Sequence, residues 1–303
     1  LAALLMYPFE LVRLGAYWNR VEPRPNAWDS RELDTHLEAA ERAGKRVVLA
    51  VGAVKNFGYP EFFVPAHHLR QPLRERSLVT PETHPVLLSG AAGFIKRIVE
   101  RYRDSPAVVA WQLEHEAVDP LGFEHSWRLS VQFVERELEA LRAADSSRPV
   151  VMNGYLPTSL PERLVQWWRT RPQGDSLAVA ARYADIVGLD YYPRHAVAGI
   201  GSRTLYLGRE CRAIKHPGKR LMVSEGQAEP WETSTTPPNP ENGLMYSCPP
   251  DQMIRNYNSA MGWSRPESPL YAYLFWGAEY WVLRGQTGDR SYLEAFTRVL
   301  ERS

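Results

Sequence analysis

Cysteine is scarce. The 303 residues hold two, Cys211 and Cys248, too few for a disulfide framework and without the CxxC spacing of a zinc or redox centre; both are expected to be unpaired thiols. No run approaches the roughly 20 apolar residues of a membrane span. The apolar start, Leu1 to Met6, also lacks the charged n-region and cleavage site of a signal peptide. Charge of one sign is missing too: 36 Lys and Arg stand against 35 Asp and Glu, a formal net charge of +1 spread over interspersed residues, which calls for neither nucleic acid nor an acidic membrane. No internal repeat or low-complexity linker divides the chain, so residues 1–303 read as one domain, a length that an α/β barrel with decorated loops accommodates. A soluble, cytoplasmic protein is expected, and nothing in the sequence sets its oligomeric state.

Aromatic residues are what the chain has in abundance. Ten Trp and fifteen Tyr occur, many in segments that otherwise look like loops. Rings of this size are costly to expose without a use, and they are the groups that stack on the apolar faces of sugars.

Short β-rich runs alternate with helical stretches, the pattern of βαβ units around a parallel sheet. Strands are expected at Leu11–Tyr17, Arg46–Gly52, Ala107–Leu113, Pro149–Asn153, Asp185–Asp190, Lys219–Glu225 and Leu270–Trp276. They are nearly continuously apolar, as strands buried on both faces are. Between the first two, Leu33, Leu37 and Ala40 recur at helical spacing, Asp29 and Glu32 have capping-box spacing, and Gly44 stands where a helix-ending glycine belongs. Helical periods recur at Phe94, Ile98 and Tyr102, at Val134, Leu138 and Leu141, and at Phe296, Val299 and Leu300; Trp167 and Trp168 fall in a further helix, where packed positions are expected. The long connections 53–90 and 226–249 follow strands. In a (β/α)₈ barrel they lie at the C-terminal face, where active sites are built. The count is seven strands where a closed barrel has eight, so a normal first strand is missing from the chain.

Two glutamates close apolar strands: Glu116, in Trp111-Gln112-Leu113-Glu114-His115-Glu116, and Glu225, in Leu221-Met222-Val223-Ser224-Glu225. Breaking a glycosidic bond with retention needs a carboxylic acid to protonate the leaving oxygen and, about 5–5.5 Å away, a carboxylate to attack the anomeric carbon. Strand ends of one barrel can supply both. Either residue alone reads as a surface glutamate past a strand; two, each followed by an aromatic-rich loop, point to the chemistry.

The Trp111–Glu116 segment resembles the W-Q-x-E-N-E-P signature of the clan A (4/7) retaining glycoside hydrolases, which include cellulase-like and β-galactosidase-like families. Arg13-Leu14-Gly15-Ala16-Tyr17-Trp18, with Glu22-Pro23 and Trp28-Asp29, is similar to that clan's second strand and following loop. Val223-Ser224-Glu225 with Gln227, Glu229, Pro230 and Trp231 is similar to its nucleophile strand, and Leu274-Phe275-Trp276-Gly277 to its eighth. The resemblance implies a TIM (β/α)₈-type barrel acting on a β-linked glycoside, with Glu116 on the fourth strand as general acid/base and Glu225 on the seventh as nucleophile. It implies that Arg13 holds Glu225 ionised, that Tyr191 or Tyr192 donates to the nucleophile, and that Trp276 floors the sugar site. Trp18, Gln227 and Trp231 join the substrate-binding candidates. Glu116, which must start protonated, is expected in a less solvated position than Glu225.

Two residues depart from the signature: His115 replaces the asparagine that reads the sugar 2-hydroxyl, and Ala117 the following proline. Histidine can still donate a hydrogen bond, with different reach and tautomer. Strand alternation would turn His115 away from Glu114 and Glu116. His67 and His68 lie in a loop, and neither metal nor cofactor is expected. The altered motif also fits a carbohydrate-binding pseudoenzyme, but both carboxylates are kept, which favours the enzyme. Hydrolysis and transglycosylation share the covalent intermediate. The loop aromatics Phe57, Tyr59, Phe62 and Phe63 suggest a pocket, hence exo action on small glycosides.

Overall fold

The computed structural model describes residues 1–58, 60–120, 125–171, 173–200, 203–208, 218–230 and 247–301. Seven strands form one sheet: β1 (Leu11–Gly15), β2 (Arg46–Ala50), β3 (Val108–Gln112), β4 (Val150–Tyr155), β5 (Ile186–Tyr191), β6 (Arg220–Gln227) and β7 (Leu270–Trp276). Their order in the sheet is their order in the chain. The pairs β1/β2, β2/β3, β3/β4 and β6/β7 are parallel. Each expected strand is present, with ends that differ from expectation by at most two residues and, for Leu270–Trp276, not at all. Among the described residues no strand precedes β1, and Ala2–Leu5 form a short helix.

By contacts the chain falls into two compact units, Glu10–Tyr155 with Trp167–Gly188, and Leu1–Phe9 with Leu156–Gln166 and Leu189–Ser303. In the first, Val47 to Ala50 of β2 are almost wholly excluded from solvent, the consequence of helices packing on a parallel sheet. The helix Arg31–Arg42 buries Leu33, Leu37 and Ala40, and Gly44 follows it at φ +65°, a left-handed turn that costs glycine nothing. Its start differs from the expected capping box. The helix begins one residue later, with Ser30 at the cap and no side-chain cap bond; Asp29 holds the Arg31 guanidinium instead, at 2.6 Å, and Glu32 pairs with Arg20 at 3.1 Å. Pro85 opens the helix Pro85–Tyr102, whose buried face runs through Phe94, Ile98 and Tyr102. Ser130 caps Val131–Ala144 by accepting from Phe133 N at 3.1 Å, and Asp175 caps Ser176–Tyr183 by accepting from Ala178 N at 2.9 Å.

The second unit is built on β6 and β7, the helices Pro250–Met261, Ala278–Gln286 and Ser291–Leu300, and a core of Ala228, Cys248, Met253, Tyr280, Trp281, Tyr292, Ala295 and Phe296. Cys248 is buried there, its Sγ directed at the Gln227 carbonyl; Cys211 lies outside the described residues.

Two small pairings were not foreseen: Leu78–Val79 runs parallel to Arg128–Leu129, and His195–Ile200 antiparallel to Arg203–Leu207. The helix Leu160–Thr170 was foreseen, but not its exposure: Trp167 and Trp168 are 58% and 66% exposed. Gln166 and Thr170 take its buried positions, so the tryptophans stand outward with the Arg171 guanidinium 4.7 and 4.5 Å from their ring centres.

Candidate active site

Glu116 is positioned by a strained turn. β3 ends at Gln112, and Glu114 (φ +51°) and Glu116 (φ +43°) both adopt left-handed backbone, at a cost of order 1–3 kcal/mol each for side chains of this kind. The surroundings hold the turn at every step. Leu113 N donates to Val151 O at 3.0 Å and His115 N to Lys55 O at 2.9 Å. The fully buried Lys55 directs its Nζ at the carbonyls of Glu116 and of Asp119, the latter at 2.9 Å. Asp119 continues the network by accepting from Ser176 N at 3.0 Å. Gly52 lies beneath: a Cβ there would meet the Glu114 backbone at 2.4 Å, so only glycine lets the chain after β2 pass under it. With the strand already ended, the alternation argument that turned His115 away from its neighbours does not apply.

Glu114 does not face solvent. Its carboxyl accepts from Val54 N (3.0 Å) and Lys55 N (2.5 Å) and lies against Glu137, a residue buried inside the helix Val131–Ala144. Among the described residues no other group donates to either oxygen of Glu137. Two carboxyls in such a place can be satisfied only by sharing a proton. Burial, and then the adjacent Glu114 carboxylate, push Glu137 well above the usual range. Burial also raises Glu114, against the two backbone N–H groups that favour its charge. Glu137 therefore holds the proton and Glu114 the charge.

The His115 ring is oriented by Asn153 at the end of β4. Asn153 Oδ1 accepts from Gln112 Nε2 (3.2 Å) and from Glu116 N (3.3 Å). That fixes its amide, so Asn153 Nδ2 is the group 2.9 Å from His115 Nδ1. An amide N–H facing Nδ1 makes that nitrogen an acceptor and leaves the proton on Nε2. His115 is thus set as a donor through Nε2, the capability an asparagine amide would offer. Arg13, on β1, contacts Gln112 Oε1 at 3.4 Å and lies 3.9 Å from the Phe57 ring centre. Trp18 is fully buried between His68 and Phe94, with Nε1 on Glu22 Oε2 at 2.9 Å. It offers no face to a sugar, which corrects its reading as a binding residue.

In the second unit Glu225 occupies a bulge of β6. Val223 pairs with Tyr273 and Gly226 with Phe275, three steps against two; a bulge re-aims the side chains it carries. Gly226 permits it, since a Cβ would fall 2.2 Å from the Tyr273 ring. Tyr192 OH donates to Glu225 Oε2 at 2.7 Å, and Ser224 Oγ to Asp190 Oδ1 at 2.7 Å. Of the two tyrosines, Tyr192 is the one on the carboxylate; Tyr191 packs edge-on against Trp263, centroids 4.8 Å apart. Glu225 is buried and Glu116 half-buried, the reverse of the expected order, because Glu225 lies within a strand and Glu116 in the turn beyond one. Gln227 spends both ends of its amide on the Arg194 backbone, at 2.7 and 3.2 Å, and so positions a loop rather than offering itself to a ligand. Trp276, half-buried, donates to Glu229 Oε1 at 3.1 Å. Trp231 lies outside the described residues.

Sequence reading missed Asn153, Lys55 and Glu137. Asn153, followed by Gly154 at a strand end, carried a visible signal; Glu137, inside a helical charge pattern, carried none.

Residues 6–135 match the family model described as Beta-galactosidase. Among solved structures, GH5_18 from Streptomyces cattleya in complex with GlcNAc superposes with TM-score 0.56 and 16% identity over 90% of this chain and 62% of that one. The β-galactosidase of the Antarctic haloarchaeon Halorubrum lacusprofundi gives 0.52 and 16% over 91% and 49%, and xylanase 10B from Thermotoga maritima 0.51 and 13% over 88% and 74%. The chain thus spans less than two thirds of the length of the first two. These similarities bear out the resemblance to clan A glycoside hydrolases and the fold class: a TIM-type (β/α) barrel with seven of its strands present among the described residues.

Proposed function

We propose that this chain carries the catalytic machinery of a retaining β-glycoside hydrolase, with Glu225 as nucleophile and Glu116 as general acid/base, on one catalytic domain spanning residues 1–303. The setting of Glu225 carries the reading: a carboxylate re-aimed by a bulge near the end of an apolar strand, with the Tyr192 hydroxyl on one oxygen. A phenol on Oε2 fixes the carboxylate plane and steadies its charge, and Oε1 is assigned the attack on the anomeric carbon. Arg13 is assigned to help keep the nucleophile ionised. Glu116 protonates the leaving oxygen, then as a base takes a proton from the water that releases the sugar. His115, donating through Nε2, reads the 2-hydroxyl, and Trp276 stacks on the substrate. β-Galactosides are the first substrates to try, because the matched family is described by that activity. Exo action on small glycosides is the mode proposed, with the loop aromatics Phe57 and Phe63 packed around Tyr17 and the Tyr17 and Phe63 rings 4.3 Å apart.

Azide separates the two roles. The Glu116→Ala variant should still be glycosylated by aryl β-glycosides with good leaving groups, and added azide should release the β-glycosyl azide. Glu225→Ala should lose turnover and with azide give the α product. A parent enzyme that inverts configuration, with carboxyls about 6.5–9.5 Å apart in a ligand complex, would defeat the assignment.

A further inference from the structure

The loop histidines set aside in the sequence find a partner that spacing could not reveal. Glu22, just past the turn of helix Trp18–Val21, presents Oε1 at 3.5 Å from His67 Nε2 and Oε2 at 3.1 Å from His68 Nε2. The 3₁₀ turn Ala66–His68 gathers both imidazoles on one side, ring centres 4.5 Å apart, and the donor atoms of all three side chains lie within 4.8 Å of one another. We propose that Glu22, His67 and His68 form a binding site for Zn²⁺ or a similar late first-row divalent cation, which fastens the long connection 53–90 to the chain following β1.

Two features support a cation over a hydrogen-bond cluster. Ligands about 2.0–2.1 Å from a tetrahedral zinc stand roughly 3.3–3.4 Å from one another. His67 Nε2 stands 3.5 Å from Oε1, near that edge and beyond the usual range of an N–H···O bond, while His68 Nε2 lies 3.1 Å from the other oxygen, Oε2. The surroundings are built as metal sites are, with outer groups orienting the ligands. Trp18 Nε1 donates to Glu22 Oε2 at 2.9 Å, and the His68 ring lies on the Trp18 ring with centroids 4.4 Å apart. Its Nδ1 edge rests on helix residue Gly90, where a Cβ would stand 2.6 Å away. Three protein ligands leave a fourth position for water, and the half-open edge, with about a fifth of each side chain exposed, gives an ion its entry. Nitrogen and carboxylate donors select late first-row divalent ions over Mg²⁺ or Ca²⁺.

The test uses the full chain, stripped with a chelator and dialysed. ZnCl₂ titrated by calorimetry should bind with one equivalent whose affinity falls at least tenfold in His67→Ala, and saturating zinc should raise the parent's Tm but not the variant's. Co²⁺ should give the intense visible absorption of a four-coordinate site in the parent alone. Glu22→Gln, which keeps an acceptor for Trp18, provides a second variant should metal-free His67→Ala melt below the parent. No stoichiometric uptake by the parent, or equal uptake by the variants, overturns the proposal and leaves a histidine–carboxylate hydrogen-bond cluster.

Discussion

The Tyr192 hydroxyl donates at 2.7 Å to Glu225, and a donor aimed at a group whose charge changes in the reaction is worth roughly 10²-fold or more in rate. Tyr192→Phe is therefore expected to lower kcat by about that factor with little change in KM, while Tyr191→Phe, on a ring that packs against Trp263, loses much less; equal losses in the two variants would remove the role given to Tyr192. The contact proposed for His115 is with the 2-position. His115→Ala should lower kcat more than it raises KM, and the loss should shrink for 2-deoxy substrates, because the bond it breaks strengthens toward the transition state. The same loss with both substrates would mean that the histidine only packs. The two carboxylates and the histidine were legible because each closes an apolar run. Asn153, which sets the histidine's tautomer, was not, since a strand-end asparagine shows its partners only when the neighbouring strand is beside it.

At the scale of elements, the join between β3 and the helix Val131–Ala144 rests on the proton held between Glu114 and Glu137. A carboxyl raised in the folded state stabilises fully below its unfolded value near 4.5 and loses that contribution as pH climbs through the folded value. Glu137→Gln keeps a donor for Glu114 and cannot ionise. Its Tm minus that of the parent should therefore grow as pH rises above about 4.5; a difference that stays flat with rising pH would show that the pair does not titrate in this way. Gly52→Ala tests the same join from below. Its Cβ would strike backbone atoms of Glu114 at 2.4 Å, which no rotamer change relieves, and a destabilisation of about 1–3 kcal/mol is expected, read as a Tm several degrees lower. Helix Arg31–Arg42 was recognisable from its buried stripe, whereas its cap was misplaced by one residue because Ser30 and Asp29 are both good cap residues, and in the structure Asp29 is engaged by Arg31 and Glu32 by Arg20.

For the molecule as a whole, positive and negative side chains nearly cancel, and the sequence pI of about 8.0 places the minimum of self-repulsion slightly above neutrality. Solubility should be lowest near pH 8 and rise toward pH 6 as charge accumulates, a dependence that a precipitation curve at fixed salt would show or refute. The exposed stripe of Leu160, Leu164, Trp167 and Trp168 makes the effect worth measuring. All seven strands were legible since burial on both faces leaves an apolar run that little else produces. The exposure of that helix was not, because an apolar face read from sequence is ordinarily assigned to a core.

The pairing of β6 with β7 begins and ends at one offset, Leu221 with Leu270 and Gln227 with Trp276, but runs one residue out between, Met222 with Ala272 and Val223 with Tyr273. An extra residue on β7 is thus answered by an extra residue on β6, like two frameshifts that restore a message on either side of a short misread stretch. Glu225 lies in the second correction. Deleting Ser224 alone would leave the first slip unanswered and turn the glutamate to the opposite face, while deleting Ser224 and Tyr271 together would give a more regular ladder from end to end. Regular pairing and a re-aimed Glu225 are here alternatives, and the chain has the second.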